Sequence, residues 1–215
     1  MMKRTIYLIL IISAIIFVPG SVYALTTLRV DSLGSGLDNI WVISYDGSSM
    51  NVFAGERNVT FQEDDFSTSY ETFCVEIDEG IGLDTYEAFV NTKAIAGGSG
   101  GGSPDPLDPE TAWIYETYLY SNPFGWSAED VQLAIWVQED EIISAPEYPN
   151  WPNVTDILSA AQNAQGIGDV RILNLWTPIG GCKQYPVQDV LFVIPEPATM
   201  ILLGFGGLML RRKKA

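Results

Sequence analysis

The pattern of apolar and polar positions divides the chain into a strand-like half, a helical middle and a strand-like return. Between residues 25 and 77 apolar and polar residues tend to alternate, which is typical of β-strands. The clearest strand covers residues 40–45 and is followed by Asp46-Gly47, a good turn dipeptide. The pattern predicts further strands at residues 50–54, 59–62, 72–77, 170–176 and 187–193.

The middle of the chain predicts a loop and three helices. Residues 96–109 are rich in glycine and proline, which predicts a flexible loop. Asp108 and Pro109 are the expected N-cap and first residue of one helix, and Ser127 begins a capping box for a second. A third helix is predicted at about residues 154–165, before Gly166. The order of elements predicts an α+β domain, a β-sandwich or barrel with a helical insertion.

The N-terminus has the composition of a signal peptide. Lys3 and Arg4 precede an apolar run at residues 6–18, and Ala24 ends a small-x-small cleavage site. The run has about 13 residues, whereas a membrane-spanning helix needs roughly 20. We therefore predict a signal peptide at residues 1–24, which signal peptidase removes after Ala24.

The C-terminus combines an extended segment, an apolar segment and a basic tail. Prolines on both sides of Glu196 keep the backbone extended and short of amide donors, as a protease substrate requires. An apolar helix is predicted at about residues 198–210, and the basic tail is expected to stay on the cytoplasmic side of the membrane. The segment consists of Pro195, Glu196 and Pro197, the apolar run, and then Arg211, Arg212, Lys213 and Lys214.

This C-terminal pattern closely resembles the sorting signal of the PEP-CTERM family. The resemblance implies processing by an exosortase, a membrane-embedded cysteine transpeptidase of certain Gram-negative bacteria. It predicts a sorting signal at residues 193–215, which contacts the inner membrane transiently, and an extracellular domain at residues 25–192. The expected destination is the cell surface, the outer membrane or the extracellular matrix.

Charge and composition disfavour several function classes. The formal net charge is −16, and the chain has no histidine. Six of its eleven basic residues are Lys3, Arg4, Arg211, Arg212, Lys213 and Lys214, all in the terminal segments. A domain this acidic is not expected to bind nucleic acid. Without histidine, Ser-His-Asp catalysis and the common zinc sites are excluded, so we expect no enzyme activity, no cofactor and no metal.

The two cysteines allow two interpretations. In an exported protein, a Cys74–Cys182 disulfide is the ordinary expectation. However, Phe73-Cys74 on a predicted strand and Gln132-Leu-Ala-Ile-Trp136 on a predicted helix resemble the thioester domains of bacterial surface adhesins. The resemblance implies a β-sandwich with an inserted helical subdomain, and an internal thioester between the Cys74 sulfur and the Gln132 carboxamide. Val131 stands where that family usually has threonine.

Three functions follow from these patterns. The first is a surface-sorted adhesin that captures an amine-bearing surface protein through the Cys74–Gln132 thioester. The second is a structural or exopolysaccharide-associated matrix protein with a Cys74–Cys182 disulfide, whose many Trp and Tyr residues stack on sugars. The third is cation binding by the acidic runs at residues 63–65 or 139–141, although neither follows a calcium-loop pattern and a solvated charge run is the simpler interpretation.

Overall fold

A computed structural model describes residues 23–95, 97–177 and 185–194 of the chain, and one antiparallel sheet dominates it. The strands are β1 Tyr23–Ser44, β2 Ser49–Phe61, β3 Ser69–Thr72, β4 Thr85–Asn91, β5 Lys93–Ala94, β6 Asp105–Pro106, β7 Ile142–Ser144, β8 Val170–Trp176 and β9 Pro186–Val193. The helices are α1 Pro109–Tyr120, α2 Ala128–Gln138 and α3 Trp151–Ala161, with a short 3-10 turn at Gln62–Asp64.

The main sheet follows the order β3-β2-β1-β4-β8-β9, and β7 pairs with β1. β1 and β2 form a long antiparallel hairpin with three shifts of register. Such irregularities bend a strand and increase its twist. At one of them Gly36 lies opposite Gly55, where a Cβ on Gly36 would come within 2.6 Å of the Ala54 carbonyl oxygen. The sheet is therefore curled into a half-barrel.

The sheet buries both of its faces, but against different partners. One core contains sheet residues such as Ile172 and Leu191 together with the three helices. The other core lies among the strands themselves and contains Leu173, Leu175 and Val190. Because adjacent residues of a strand point to opposite faces, β8 and β9 contribute to both cores. Helix α2 is buried at most of its positions and lies at the centre of the helical layer.

The predicted fold class is wrong. Of the described residues, 41% are in strands and 23% in helices, and the architecture is a mostly β, curled half-barrel with three helices. It is neither an α+β sandwich nor a barrel with a helical insertion. The physical difference is in the second layer of the core, which here consists of helices instead of a second sheet. The predicted C-terminal apolar helix lies outside the described residues.

The local signals were more informative than the fold class. Pro109 begins α1 after Asp108, and Ser127 caps α2 through a capping box with Asp130. Helix α3 begins three residues before the predicted start and ends at Ala161. The strands predicted at residues 50–54 and 59–62 belong to one strand, β2, except for Gln62, which begins the 3-10 turn. None of the helices in the described part of the chain is long and apolar enough to span a membrane.

The glycine-rich loop is held in place by a buried carboxylate. It connects β5 to β6, which pair with each other, and the Ser99 amide donates to Glu141 Oε2 over 3.3 Å. The same oxygen accepts the Ile77 amide over 3.0 Å. Gly98 has a φ of +42°, and a Cβ there would lie 1.7 Å from Glu141 Oε1. A residue with a side chain therefore does not fit at position 98.

The acidic run at residues 139–141 is largely buried and is not a solvated face. Glu139 and Glu141 are 4% and 1% exposed, and Glu139 Oε1 accepts the Asp108 amide over 3.3 Å. Asp189, fully buried on β9, accepts the Ile95 amide over 2.7 Å. Burial raises the pKa of Glu139 to about 8 and the pKa values of Glu141 and Asp189 to about 7.

These three acids predict that the fold loses stability as the pH rises. Unfolded carboxyl groups release their protons near pH 4, whereas the folded chain keeps these protons until about pH 7 to 8. Between these limits the folded state binds more protons, so the free energy of unfolding falls with increasing pH. We expect the melting temperature to decrease from about pH 5 to pH 8.

A Glu141→Gln variant should weaken this pH dependence, because glutamine does not titrate and the folded state then binds one excess proton fewer than the unmodified chain. The exposed Glu147 gives a matched control, and Glu147→Gln should leave the pH dependence unchanged. Thermal unfolding followed by circular dichroism at each pH is the measurement. A melting temperature that rises across this interval would contradict the assignment.

Candidate functional site

The chain after β3 crosses to the opposite edge of the curled sheet at Cys74. Cys74 forms an isolated antiparallel bridge with Val190 of β9. The residues on either side of Cys74 and Val190 make the backbone hydrogen bonds of this bridge. The Leu191 amide donates to the Phe73 carbonyl, and the Val75 amide donates to the Asp189 carbonyl. In an antiparallel pair of this kind, the backbone groups of the central residue point away from the partner strand. Cys74 therefore needs other partners for its amide and its carbonyl.

Gln132 of α2 supplies both of these partners. Its Oε1 accepts the Cys74 amide over 3.1 Å, and its Nε2 donates to the Cys74 carbonyl over 2.8 Å. The side chain of Gln132 is 1% exposed, and Cys74 is 4% exposed. The structure thus brings together the two residues that the sequence predicted as a pair. They are 58 positions apart in the chain.

The Cys74 thiol is buried and weakly acidic. Among the described residues Cys74 has no disulfide partner. Burial raises the pKa of its thiol to about 11, and the positive charge of Arg57 opposes this shift only in part. The thiol is therefore protonated at neutral pH, and its nucleophilic thiolate form requires a proton acceptor.

Cys74 lines a pocket of about 230 Å³, called here the thiol pocket. Phe53, Glu79, Gly80 and Ile81 are partly or fully exposed, whereas Cys74 is buried. The other lining residues are Val52, Arg57, Glu76, Ile77, Trp136 and Gln188. A small molecule or a single side chain entering from the exposed residues would thus reach Cys74 in a mostly buried environment.

The thiol pocket contains several buried polar atoms that lack a partner. Among the described residues, no hydrogen-bond donor meets either carboxyl oxygen of Glu76 or the Oε2 of Glu79. The Nε of Arg57 and the indole Nε1 of Trp136 are also without acceptors among the described residues. Burial raises the pKa values of Glu76 and Glu79, and the neighbouring Glu79 carboxyl raises that of Glu76 further. Such atoms are costly to leave unpaired, which is typical of a site that receives a ligand.

A second pocket, of about 440 Å³, lies between the start of α2 and α3. Phe124 is 64% exposed and stacks on Trp126, with ring centroids 5.1 Å apart and planes inclined by 19°. Asn153 and Asp156 of α3 add polar groups to the lining. We call this the aromatic pocket.

The sequence did not single out the residues around the predicted pair. Glu76 was visible only as one acid among many and Arg57 as an ordinary strand residue, whereas Trp136 was part of the motif that begins at Gln132. Trp136 follows Gln132 by four positions on α2, so a helical projection places both on one face. That spacing is the one signal in the sequence that points from Gln132 to the thiol pocket.

Several predicted site residues lie away from the thiol pocket or outside the described residues. Ala24 lies at the start of β1, and its role as the cleavage site stays a prediction. Cys182 lies outside the described residues, so the Cys74–Cys182 disulfide also stays a prediction. The sorting residues Pro195, Glu196 and Pro197 and the basic tail Arg211, Arg212, Lys213 and Lys214 lie outside them as well. Among the described residues, no group of three or more acids or cysteines is arranged to hold a metal ion.

Comparison with known families identifies the C-terminal segment. Residues 193–214 match the PEP-CTERM protein-sorting motif, which confirms the predicted sorting signal. The motif implies an exported protein that an exosortase processes, with delivery to the cell surface of a Gram-negative-type bacterium. Comparison with curated proteins and with solved structures found no match.

Removing the Gln132 side chain should destabilise the fold. In Gln132→Ala the buried amide and carbonyl of Cys74 lose their partners, and we expect the free energy of unfolding to fall by about 1–3 kcal/mol. Cys74→Ala should cost less, because these two hydrogen bonds reach the main chain of residue 74 and survive the change. Denaturant unfolding of both variants, with the exposed Gln165→Ala as control, tests the prediction. A Gln132→Ala variant as stable as the control would show that the contact contributes nothing.

Proposed function

We propose that this chain is a surface-sorted protein that captures an amine-bearing partner covalently through an internal thioester between Cys74 and Gln132. The observation that carries the proposal is the pairing of the Gln132 carboxamide with both backbone groups of Cys74. This pairing holds the carboxamide beside the residue that bears the thiol, in a mostly buried site. Holding two groups in this way replaces an improbable encounter with a local reaction.

The reaction exchanges one bond for another at the Gln132 side-chain carbonyl. The Cys74 sulfur forms a bond to that carbon, the carbon–nitrogen bond breaks, and ammonia leaves with the thiol proton. When a primary amine later attacks the same carbon, an amide forms and the Cys74 thiol is released. The Cys74 amide, which already donates to Gln132 Oε1 over 3.1 Å, would stabilise this oxygen as it becomes negative.

Export and sorting agree with this role. A thioester used outside the cell needs protection from water until its partner arrives, and the burial of Cys74 and Gln132 provides it. Signal peptidase would remove residues 1–24 and an exosortase would act at the sorting signal, so that the domain is retained at the surface. The partner would be a protein or a polymer that presents a lysine-like primary amine.

The intact mass of the processed chain, purified from the exporting cells, tests the proposal. A chain with a thioester should be lighter by one ammonia than the sequence of the processed chain predicts, and incubation with methylamine should add one methylamine in its place. Cys74→Ala should abolish both changes, because the nucleophile is absent. The exposed Gln165→Ala variant should behave like the unmodified chain.

The same measurement separates the alternative. A chain that is lighter by two hydrogens, and that regains them with reductant, would contain the Cys74–Cys182 disulfide and would overturn the thioester. Peptide mapping after methylamine should place the added mass on Gln132.

The aromatic pocket favours a second candidate function, non-covalent binding to exopolysaccharide. Exposed aromatic rings offer an apolar face to the C–H groups of a sugar, and neighbouring amide and carboxylate groups bind its hydroxyls. Phe124 provides such a face, and Asp156 and Asn153 provide the polar groups. This candidate does not depend on either cysteine.

Replacing Phe124 with alanine should weaken binding to a neutral polysaccharide about tenfold, the equivalent of roughly 1.4 kcal/mol. Binding can be followed through tryptophan fluorescence during titration with dextran or galactan, because Trp126 stacks on Phe124. Tyr185 is 54% exposed and lies outside this pocket, so Tyr185→Ala is the matched control. Equal affinities of the two variants, or no binding by the unmodified chain, would exclude the aromatic pocket as a site for these polysaccharides.

A further inference from the structure

The thiol pocket contains an acidic pair whose charge no neighbouring cation balances. Glu76 is 1% exposed, and both of its carboxyl oxygens lack a donor among the described residues. Glu79 lines the same pocket closer to solvent, and its Oε2 also lacks a donor there. Both residues line this one pocket, and the Glu79 carboxyl is close enough to raise the pKa of Glu76. The pair is thus a buried polar site that the folded chain leaves incomplete.

Arg57 does not complete this site. It is the pocket's one basic residue among those described, and its guanidinium lies over the Phe53 ring, 4.2 Å from the centroid. Its Nη1 donates to the Glu56 carbonyl over 3.4 Å. No ion pair joins Arg57 to Glu76 or Glu79 in the described structure. A cation from outside the chain is therefore the missing partner.

We propose that Glu76 and Glu79 form the ammonium-binding and proton-transfer site of the thiol pocket. They receive a protonated primary amine, take its proton, and return a proton to the Cys74 sulfur when the thioester opens. This inference rests on the proposed thioester. It adds the two residues that recognise the amine and make it reactive.

The shape and lining of the thiol pocket define the substrate further. Its remaining walls include the apolar side chains of Val52, Ile77 and Ile81. A volume of about 230 Å³ admits one side chain and excludes a folded surface. The substrate is therefore a primary ammonium at the end of an unbranched alkyl chain, such as a lysine side chain on an exposed, extended segment.

Each proton that moves in this pocket has a donor and an acceptor. The pair begins with one proton, on Glu76, and Glu79 accepts a second from the ammonium, which leaves a neutral amine that can attack the Gln132 carbonyl carbon. The new carbon–nitrogen bond forms and the carbon–sulfur bond breaks. The amine nitrogen loses its next proton to the pair while the pair donates one to the Cys74 sulfur. One amide and one thiol result, and the pair releases its extra proton to solvent.

The surrounding charges keep the pair partly protonated, as this role requires. Burial raises the pKa of Glu76, and the carboxyl groups of Asp189, Glu79 and Glu141 raise it further. Burial also raises the pKa of Glu79, with a contribution from Asp78. Because burial also raises the pKa of Cys74 to about 11, the departing sulfur is strongly basic and readily takes a proton.

The test compares two nucleophiles that differ in charge. Methylamine is almost entirely protonated at neutral pH and needs a base, whereas hydroxylamine is largely neutral and does not. In Glu76→Gln and Glu79→Gln, the rate of methylamine capture by the full chain should fall by about 10²- to 10⁴-fold, and that of hydroxylamine far less. Between about pH 6 and 9 the variants' methylamine rate should rise with pH, since only free methylamine then reacts. Glu147→Gln, an exposed acid, should match the unmodified chain.

Intact mass distinguishes the possible failures. If the unmodified chain has not lost ammonia, the proposed thioester is wrong, and the proposed role of Glu76 and Glu79 is wrong as well. If the chain has lost ammonia but both variants capture methylamine at the unmodified rate, the thioester stands and the role of the pair is wrong. Equal losses for the two nucleophiles would also overturn that role, because they would indicate a structural effect. If Glu76→Gln does not fold, the more exposed Glu79→Gln decides the question.

Discussion

The site depends on the backbone of one residue. Cys74 lies where the curled sheet brings the segment after β3 against β9, and the geometry of that bridge turns its amide and carbonyl away from the sheet. A buried backbone group without a partner is too costly to keep, so the helical layer must provide a donor and an acceptor at this point. A primary carboxamide provides both at once. This constraint explains a fully buried glutamine on the most buried helix of the fold.

The same constraint connects structure to chemistry. The contact that satisfies the Cys74 main chain also places the Gln132 carboxamide beside residue 74. Cys74 belongs to the core that contains the three helices. The buried acids near the thiol pocket differ in whether they form hydrogen bonds within the fold. Glu141 and Asp189 accept hydrogen bonds from loop amides, whereas both carboxyl oxygens of Glu76 and the Oε2 of Glu79 have no donor in the described structure.

Local features of the sequence predicted local structure well. The cap of α1 at Asp108 and the capping box at Ser127 depend on residues within one turn, so the sequence alone reveals them. The C-terminal sorting signal was equally readable, because its parts are contiguous. The fold class depends on whether a second sheet or a layer of helices packs against the main sheet. No single segment of the sequence determines that choice. The burial of Glu139 and Glu141 was missed for a similar reason, since their partners are the amides of Asp108, Ile77 and Ser99 in distant loops.

The position of the sorting motif has a mechanical consequence. The motif begins at Val193, the last residue of β9, so no linker separates it from the sheet. Tension from the membrane or the cell surface enters the domain at the end of this strand. The antiparallel pairing of β8 with β9 from Val170↔Val193 to Trp176↔Pro186 carries that load first, and the bridge to Cys74 lies within the same strand. A pull on the anchor therefore acts on the strand that is bridged to Cys74, the residue whose main chain Gln132 binds.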